Sequence, residues 1–319
     1  MQEFTDYLQS KNLAKTTQKT YIKDLNKFLN WYASTNSAQA KDAINCTKKD
    51  ILNYLTYLKK KGQSSSTRNI YLNSIKNYFS YLLSQNLITK NPTNCIKIRG
   101  VKRKFLYYNF TSKNLTQITD DYYNNFIRNY NDKSRNEIQK NNSILSRERN
   151  YIIVQLFINQ GLVSSEIAKI TTQDININKA TIHIKATKKS NKRNLQLQAS
   201  QIGSIINYLH QIRPQFLEHY KQETDQLILL LPEKTGAKRT VSYNYNNLFM
   251  KLTKDLKTLH QNFLNFKQIR ASVITNWIKN KGLRKAQYLA GHRYISSTEN
   301  YKINDLESLT EDIAKFHPF

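Results

Sequence analysis

The residues of this chain with the clearest potential for chemistry lie in its second half. Tyr301 stands nine residues after His292, which follows a glycine, and Arg270 ends the stretch KQIR. Lys188 and Lys189 are adjacent in a strongly basic stretch. A tyrosine hydroxyl can attack a phosphodiester to give a covalent phosphotyrosine. Arginine and histidine would hold the non-bridging oxygens as charge builds, and a lysine would protonate the departing hydroxyl.

Each of these residues also has an ordinary structural explanation when it is taken alone. The chain has 21 tyrosines and 6 histidines, and such residues usually pack in a core or lie on a surface. Taken in order, however, the candidates agree on one chemistry, which requires no metal. The two cysteines, Cys46 and Cys95, form no CxxC pair, so neither a disulfide framework nor a zinc site is expected. The sequence predicts no cofactor.

The charge of the chain indicates its partner. Among 319 residues, 50 Lys and Arg against 22 Asp and Glu give a formal net charge of +28. Self-repulsion of this size costs stability unless a polyanion neutralises it, so we expect nucleic acid as the partner and a membrane surface only as the alternative. The apolar run LILLLP at 227–232 is too short to span a bilayer, and residues 2–11 lack the apolar core of a signal peptide. The expected location is cytoplasmic, in association with the nucleoid.

The elements that must position these residues begin with a helical amino-terminal part. Thr47 and Asp50 have the spacing of a helix-start cap, and Gly62 followed by SSS at 64–66 ends that helix and begins the next. Apolar and aromatic residues recur at the 3.6-residue period in two further places: Tyr21, Leu25, Phe28 and Tyr32, and Tyr71, Ile75, Tyr78 and Leu82. Four helices with short connections predict a small bundle.

The second part of the chain mixes helices and strands. TIHIK at 181–185 and NLQLQ at 194–198 alternate as strands do, and the turn-forming stretch between them predicts a hairpin with a cationic tip. YIIVQLFI at 151–158 is interpreted as a buried helix, and helical patterns return at 200–220, 244–258 and 267–280. The predicted fold class is mainly α with a small antiparallel β-sheet.

A basic linker separates the two parts. Pro92 and Gly100 interrupt the helical pattern, and Lys and Arg are concentrated between 97 and 104. The sequence therefore predicts a DNA-binding helical domain at 1–98, a basic linker at 99–112 and a catalytic domain at 113–319. The cations expected to bind DNA lie in the linker, in the hairpin and beside His292: Lys97, Arg99, Lys102, Arg103, Lys104, Lys185, Lys192, Arg193 and Arg293.

Three boxes of the chain resemble those of the tyrosine site-specific recombinases, the family of phage integrases, Xer proteins and Cre. GHRYISSTENY resembles the box in which the nucleophilic tyrosine follows Gly-His, and KQIR resembles the His-x-x-Arg box. TIHIKATKKSNKRNLQL resembles the hairpin that carries the catalytic lysine. The amino-terminal half, from FTDYLQSKNLAKTTQKTYIKDLNKFLNWY to SSSTRNIYLNSIKNYFSYLLSQNLITKNP, resembles the SAM-like core-binding domain. The resemblance implies a C-shaped clamp around double-stranded DNA.

The resemblance also implies a role for each matching residue. Tyr301 would attack DNA and become joined to the 3′ phosphate, while Arg270 and His292 would contact the scissile phosphate. Lys267 occupies the position of the His-x-x-Arg box at which the family most often has histidine. Glu166 matches an acidic position that supports the site in the family.

The sequence leaves two assignments open: the lysine that acts as general acid and the counterpart of the family's first catalytic arginine. The general acid is Lys188 when the box is aligned from its first strand and Lys189 when it is aligned from its second, and Lys188 is preferred. The family's first catalytic arginine falls in a Gly-Leu-Arg-x-x-Glu segment, where this chain reads GLVSSE and has Val163. No arginine lies within several residues, since Arg149 is too far upstream, and a neutral branched side chain cannot clamp a phosphate.

The leading hypothesis is therefore a recombinase or integrase of a mobile element or genome-maintenance system. It would work as a homotetramer on two duplexes, through the carboxy-terminal tail KINDLESLTEDIAKFHPF. One alternative is a DNA-binding protein with the same fold that has lost efficient strand exchange and serves in regulation, replication or assembly. Another is an enzyme that nicks one strand without recombining.

Overall fold

Helices form most of the chain that the computed structural model describes, namely residues 2–35, 43–100, 109–129, 136–187, 190–218, 220, 223–231, 233–235, 240–242 and 245–302. The chain divides into two units, Met1–Lys104 and Phe105–Phe319. The predicted class, mainly α with a small antiparallel sheet, is confirmed. Several predicted functional positions lie outside the described residues: Lys102, Arg103, Lys104, Lys188, Lys189 and the tail from 303.

The first unit contains the four predicted helices. They are α1 (Gln2–Ser10), α2 (Lys15–Thr35), α3 (Lys48–Lys60) and α4 (Ser65–Ser84). The periodic residues Leu25, Phe28 and Ile75 are completely buried in its core, as the apolar stripe of an amphipathic helix requires.

Capping residues begin two of these helices where the sequence places them. Thr47 precedes α3, its hydroxyl accepts the backbone N–H of Asp50 (3.4 Å), and the Asp50 carboxylate accepts the backbone N–H of Thr47 (2.9 Å). Ser64 caps α4 by accepting the N–H of Thr67 (3.1 Å). These bonds satisfy backbone donors that a helix start otherwise leaves unpaired.

The second unit is built around α6 (Glu137–Gln160), whose residues 152–158 are all buried. The predicted helix at 151–158 is thus confirmed as the carboxy-terminal half of a longer one. The other α-helices of the unit are α5 (Ser112–Tyr123), α7 (Ser164–Ile167), α8 (Ala199–Asn207), α9 (Arg213–Leu217), α10 (Tyr245–Leu259), α11 (Phe266–Ala290) and α12 (Ile295–Glu299). Arg149, on α6, is buried and donates to the carbonyl of Leu229 (3.1 Å) and to Asn150 Oδ1 (2.9 Å).

A three-stranded antiparallel sheet contains the predicted hairpin. Its strands β1 (Ile175–Asn176), β2 (Thr181–Ile184) and β3 (Arg193–Gln196) are ordered β1-β2-β3. His183 pairs with Asn194, and Ile182, Ile184 and Leu195 face the core. A second sheet pairs β4 (Glu233–Thr235) with β5 (Thr240–Ser242).

The end of the expected linker differs from the sequence-based boundary. Phe110 is buried in the core of the second unit, where its N–H donates to Ser272 Oγ (2.9 Å). Thr111 then caps α5 through Asn114. Residues 110–112 therefore belong to the second unit, because a large apolar side chain followed by a capping threonine starts a packed helix rather than ending a linker.

Candidate active site

Arg270, His292 and Tyr301 come together at the two ends of α11 and just beyond α12. Arg270 lies in the first turn of α11, which starts at the cap residue Asn265. His292 follows Gly291 at the end of the same helix, and Tyr301 lies two residues after α12. Arg270 is next to the other two because α11 is broken at Gly282, whose φ of 77° and ψ of 164° are not helical, so that the chain folds back and the carbonyl of Ala290 reaches Arg270.

Gly291 determines where α11 ends. Its φ of 69° is in the left-handed region, which a glycine adopts without the steric cost that other residues meet, and it forms the cap at the end of α11. The backbone N–H of His292 then donates to the carbonyl of Gln287 (3.1 Å). The Gly-His pair is thus a helix-ending turn that directs the imidazole back toward Arg270.

The guanidinium of Arg270 is held by backbone carbonyls at both sides. It donates to the carbonyl of Gly161 and to that of Ala290 (2.8 Å), and it also hydrogen-bonds Tyr301. Burial lowers the pKa of Arg270, which the charge of Glu166 and the contact with Tyr301 oppose. An arginine side chain remains charged in proteins even when burial lowers its pKa, so this is a fixed cation beside the Tyr301 side chain.

His292 is held as a neutral imidazole. Its Nδ1 lies 2.9 Å from Thr298 Oγ1 and its Nε2 lies 3.4 Å from a nitrogen of Arg270. Since arginine can only donate, Nε2 is the acceptor and Nδ1 carries the proton that Thr298 accepts. Burial, with the charges of Arg270 and Arg193, lowers the pKa of His292 to about 4.

Tyr301 is fixed against both of these residues. Its ring is stacked on that of His292, with centroids 5.7 Å apart and planes 12° apart. Its backbone N–H donates to the carbonyl of Thr298 (3.0 Å), and its carbonyl accepts from Thr275 Oγ1 (3.4 Å). The short helix α12 therefore sets the distance between the histidine and the tyrosine.

Glu166 and Arg193 form a buried ion pair behind these three residues. Two nitrogens of the Arg193 guanidinium donate to the two carboxylate oxygens of Glu166, at 2.8 and 3.0 Å. Burial alone would raise the pKa of Glu166, but Arg193, the N–H of Val163 and the charge of Arg270 lower it below its ordinary value. The interpretation of Arg193 as an exposed DNA contact is wrong, because its side chain is 0% exposed. The alternation Arg193, Leu195, Leu197 along β3 was the available signal, since it puts Arg193 on the inward face.

Val163 lies half-buried at the start of α7. Its backbone N–H donates to Glu166 (3.1 Å), and the residue lines a groove of about 1330 Å³ that also reaches Arg270 and Tyr301. The groove wall at position 163 is thus neutral.

Four cations line the same groove: Lys254, Lys257, Lys267 and Arg270. Lys254 and Lys257 are not among the residues predicted from the sequence. Their signal is the helical spacing Met250, Lys254, Lys257 on α10, which puts them on one face. The groove therefore combines positive charge with the Tyr301 side chain.

Comparisons with known proteins agree with this geometry. Residues 95–307 match the model of the phage integrase family, and residues 1–89 match the model of the phage integrase N-terminal SAM-like domain. This chain belongs to the phage integrase family. The resemblance stated from the sequence is confirmed, and the relatives support site-specific recombination as the function.

Curated relatives of this integrase-family chain match along nearly its whole length. The tyrosine recombinase XerC of Listeria monocytogenes is 26% identical over 324 residues, covering 99% of this chain and 97% of that protein. The tyrosine recombinase XerA of Pyrococcus horikoshii is 24% identical, covering 99% and 92%.

Solved structures share the fold. The XerH recombinase bound to a palindromic difH substrate, a post-cleavage complex, matches with a TM-score of 0.67 and 19% identity, over 95% of this chain and 80% of that one. A lambda integrase tetramer bound to a Holliday junction matches with a TM-score of 0.60 and 12% identity, over 94% and 75%.

The hairpin of this integrase-family chain is joined to the turn that carries His292. Ser190 forms an antiparallel bridge with His292, and the N–H of Asn191 donates to the carbonyl of Gly291 (2.9 Å). Arg293, predicted to bind DNA, is exposed and donates to the carbonyl of Thr187 (3.0 Å). Thr187 and Ser190, which flank the two lysines in the sequence, therefore both contact the segment 291–293.

Four more of the predicted DNA-binding residues that the structure describes are exposed. Lys97, Arg99 and Lys192 are exposed. Lys185 is 60% exposed and forms an ion pair with Asp174 (3.2 Å). Within the described ranges there is no group of three or more His, Cys, Asp or Glu side chains that could hold a metal ion. Similarly, none of the helices described is both long and apolar enough to cross a membrane.

Proposed function

We propose that this chain is a site-specific DNA recombinase that cuts and rejoins DNA through a 3′-phosphotyrosine. The observation that supports this most strongly is the arrangement of Tyr301, hydrogen-bonded to Arg270 and stacked on neutral His292, at a groove lined by cations. A nucleophile, a proton acceptor and a fixed positive charge are what attack on a phosphodiester needs.

The first step forms one bond and breaks one. The Tyr301 oxygen attacks the phosphorus, and the bond from phosphorus to the 5′ oxygen breaks. When the Arg270 guanidinium turns from Nε2 of His292 to the phosphate, the lone pair of that nitrogen becomes free and accepts the Tyr301 proton. The resulting imidazolium then stabilises the non-bridging oxygens together with Arg270.

The departing 5′ oxygen takes its proton from a lysine of the hairpin. The family resemblance assigns this role to Lys188, with Lys189 as the alternative. The bridge between Ser190 and His292 supports the assignment, since it brings a residue adjacent to the lysines to the site. Lys267 lines the groove and contributes charge near the phosphate. Strand rejoining reverses these steps with a new 5′ hydroxyl.

Double-stranded DNA is the proposed substrate, and phosphate contacts provide most of the affinity. The supporting observations are the +28 formal charge and the cationic groove. We propose that residues 1–98 bind DNA, that the basic segment 99–109 links them to the catalytic domain, and that the active form is a tetramer assembled through the tail. A DNA substrate also favours association with the nucleoid.

One observation favours a second candidate function. Val163 leaves the groove wall neutral where the family has its first arginine, and a missing charge-stabilising donor typically costs on the order of 10² to 10³ in rate. A chain that binds DNA and cuts it too slowly to recombine would serve in regulation, replication or assembly.

The test is incubation of the protein with a labelled duplex carrying the sequence that flanks its own gene. We expect a covalent adduct that survives denaturing electrophoresis and is removed by protease. The released strand should carry a 5′ hydroxyl that a polynucleotide kinase labels directly. Specific binding without an adduct at any time point would support the second function, and an adduct through the 5′ phosphate would contradict the proposed chemistry.

A further inference from the structure

Arg193 is a buried cation that the proposed cleavage mechanism does not use. Its side chain is fully buried, and it reaches Glu166 from a strand 27 residues later in the chain. Removing two charges from water is expensive, and a buried pair of this kind is a poor source of stability. The geometry around the pair indicates a different use.

The guanidinium of Arg193 lies directly under the turn that presents His292. A Cβ atom added to Gly291 would lie 2.5 Å from Arg193 Nη1 and 3.0 Å from its Cζ, so the backbone of Gly291 is in contact with the guanidinium plane. The turn is also tied to the same strand region by the N–H of Asn191. The Gly-His turn therefore packs directly on the Arg193 guanidinium.

The nearby carboxylate of Glu166 explains why a positively charged side chain is needed at position 193. Its carboxylate is buried close to Arg270: the charge of Arg270 lowers the pKa of Glu166, and the charge of Glu166 raises the pKa of Arg270. Without a partner, the carboxylate would draw the Arg270 guanidinium toward itself and cancel its charge. With Arg193 present, both Glu166 oxygens are occupied, and the three groups together retain one net positive charge facing the groove.

We propose that Arg193 is a positioning residue for DNA cleavage, which occupies Glu166 so that Arg270 stays available to the phosphate and which supports the turn that carries His292. This inference rests on the proposed function. In a chain with a neutral residue at position 163, Arg270 is the principal described cation at the Tyr301 side chain, so its availability decides the rate of attack.

Four variants test this role: Arg193→Gln, Glu166→Gln, the double variant and Arg193→Lys. Arg193→Gln leaves an unpaired carboxylate beside Arg270, so the rate of adduct formation should fall by roughly 10² to 10³. Glu166→Gln leaves an unpaired cation instead, which still attracts phosphate, and should be clearly faster than Arg193→Gln. The double variant removes both charges and should recover part of the loss.

A pair that only stabilises the fold would behave differently. Both single variants would then lose activity equally, in proportion to their loss of stability in urea unfolding, and that result would overturn the proposal. An Arg193→Gln variant as fast as the parent would also overturn it. If Arg193→Gln does not fold, the rates of adduct formation of Arg193→Lys and the double variant are compared with those of the parent and Glu166→Gln. Both replacements avoid an unpaired buried carboxylate.

A second readout is independent of DNA cleavage. The groups that face His292 are Arg270, Arg193, Glu166 and Tyr301. Removing the Arg193 charge while keeping Glu166 should raise the pKa of His292 from about 4 toward its ordinary value of 6.5, as followed by NMR of labelled histidine rings. An unchanged titration would contradict contact between Arg193 and the His292 turn. If the parent protein forms no adduct, the proposed function fails, whereas this titration still tests the role of Arg193.

Discussion

The Nδ1 of His292 lies 2.9 Å from the hydroxyl of Thr298, six residues later, and this hydrogen bond determines which imidazole nitrogen carries the proton. Thr298 is completely buried, so its hydroxyl has no water to exchange with. Because Arg270 faces the other nitrogen at 3.4 Å, the bond leaves Nε2 unprotonated, with its lone pair on the Arg270 side of the ring. A buried threonine thus fixes the tautomer of the histidine that we propose as the proton acceptor.

Thr298→Val should slow adduct formation by roughly ten- to a hundredfold. The isosteric valine removes the acceptor and leaves a buried N–H unpaired, which costs about 1–3 kcal/mol. Thr298→Ser keeps the hydroxyl and is the matched control. Single-turnover rates on labelled duplex measure the difference, and equal rates for the valine and serine variants would show that the tautomer is irrelevant.

Gly291→Ala should destabilise the second unit and slow cleavage. The new Cβ would meet the Arg193 guanidinium, and φ at this position is left-handed, so we expect a loss of about 1–3 kcal/mol in the free energy of unfolding. Gly203→Ala on α8 is the control, because nothing lies within 4 Å of its added Cβ. That change should be neutral or stabilising by up to about 1 kcal/mol in urea unfolding. Equal stability of the two variants would contradict the close contact.

Val163→Arg should accelerate adduct formation. Residue 163 lines the same groove as Arg270 and Tyr301, so a second guanidinium there can stabilise the negative charge of the transition state. The rate of adduct formation should rise by roughly 10² or more. Val163→Met, long but neutral, controls for shape. A slower arginine variant would show that this protein binds the scissile phosphate in another way. No adduct from either parent or variant would support DNA binding without cleavage.

The paired change Lys254→Gln and Lys257→Gln should weaken DNA binding. If each lysine contacts one phosphate, the slope of log affinity against log salt should become shallower by about 2. Lys251→Gln is the control, since Lys251 is exposed on the same helix and does not line the groove. Binding of random duplex between roughly 50 and 200 mM salt measures this. An equal effect of Lys251→Gln would mean that the groove has no special role.

Local signals predicted the helices and the hairpin. The Thr47–Asp50 cap, the apolar period of α2 and α4 and the alternation of β2 and β3 depend on residues close in sequence, and each matches the structure. Tyr301 and His292 were also found from spacing, since only one short helix separates them.

Interactions between distant residues were not predictable in the same way. Arg193 stands in a run of cations that is typical of an exposed tip, yet it is buried because β3 turns it inward onto Glu166. The neutral state of His292 depends on Arg270 and on burial, neither of which follows from its neighbours in sequence. Lys254 and Lys257 had a helical spacing, but only the packing of α10 against the site shows which side faces the groove.

The most direct test of the central claim is the identity of the tyrosine joined to DNA. Tyr301→Phe removes only the attacking oxygen, so it should bind duplex as the parent does and form no covalent adduct. Tyr294→Phe is the matched control, because Tyr294 is 72% exposed in the segment between His292 and Tyr301 and should keep full adduct formation. Peptide mass spectrometry of the parent adduct should place the nucleotide on Tyr301. An adduct formed by Tyr301→Phe, or a nucleotide mapped to another tyrosine, would contradict the mechanism.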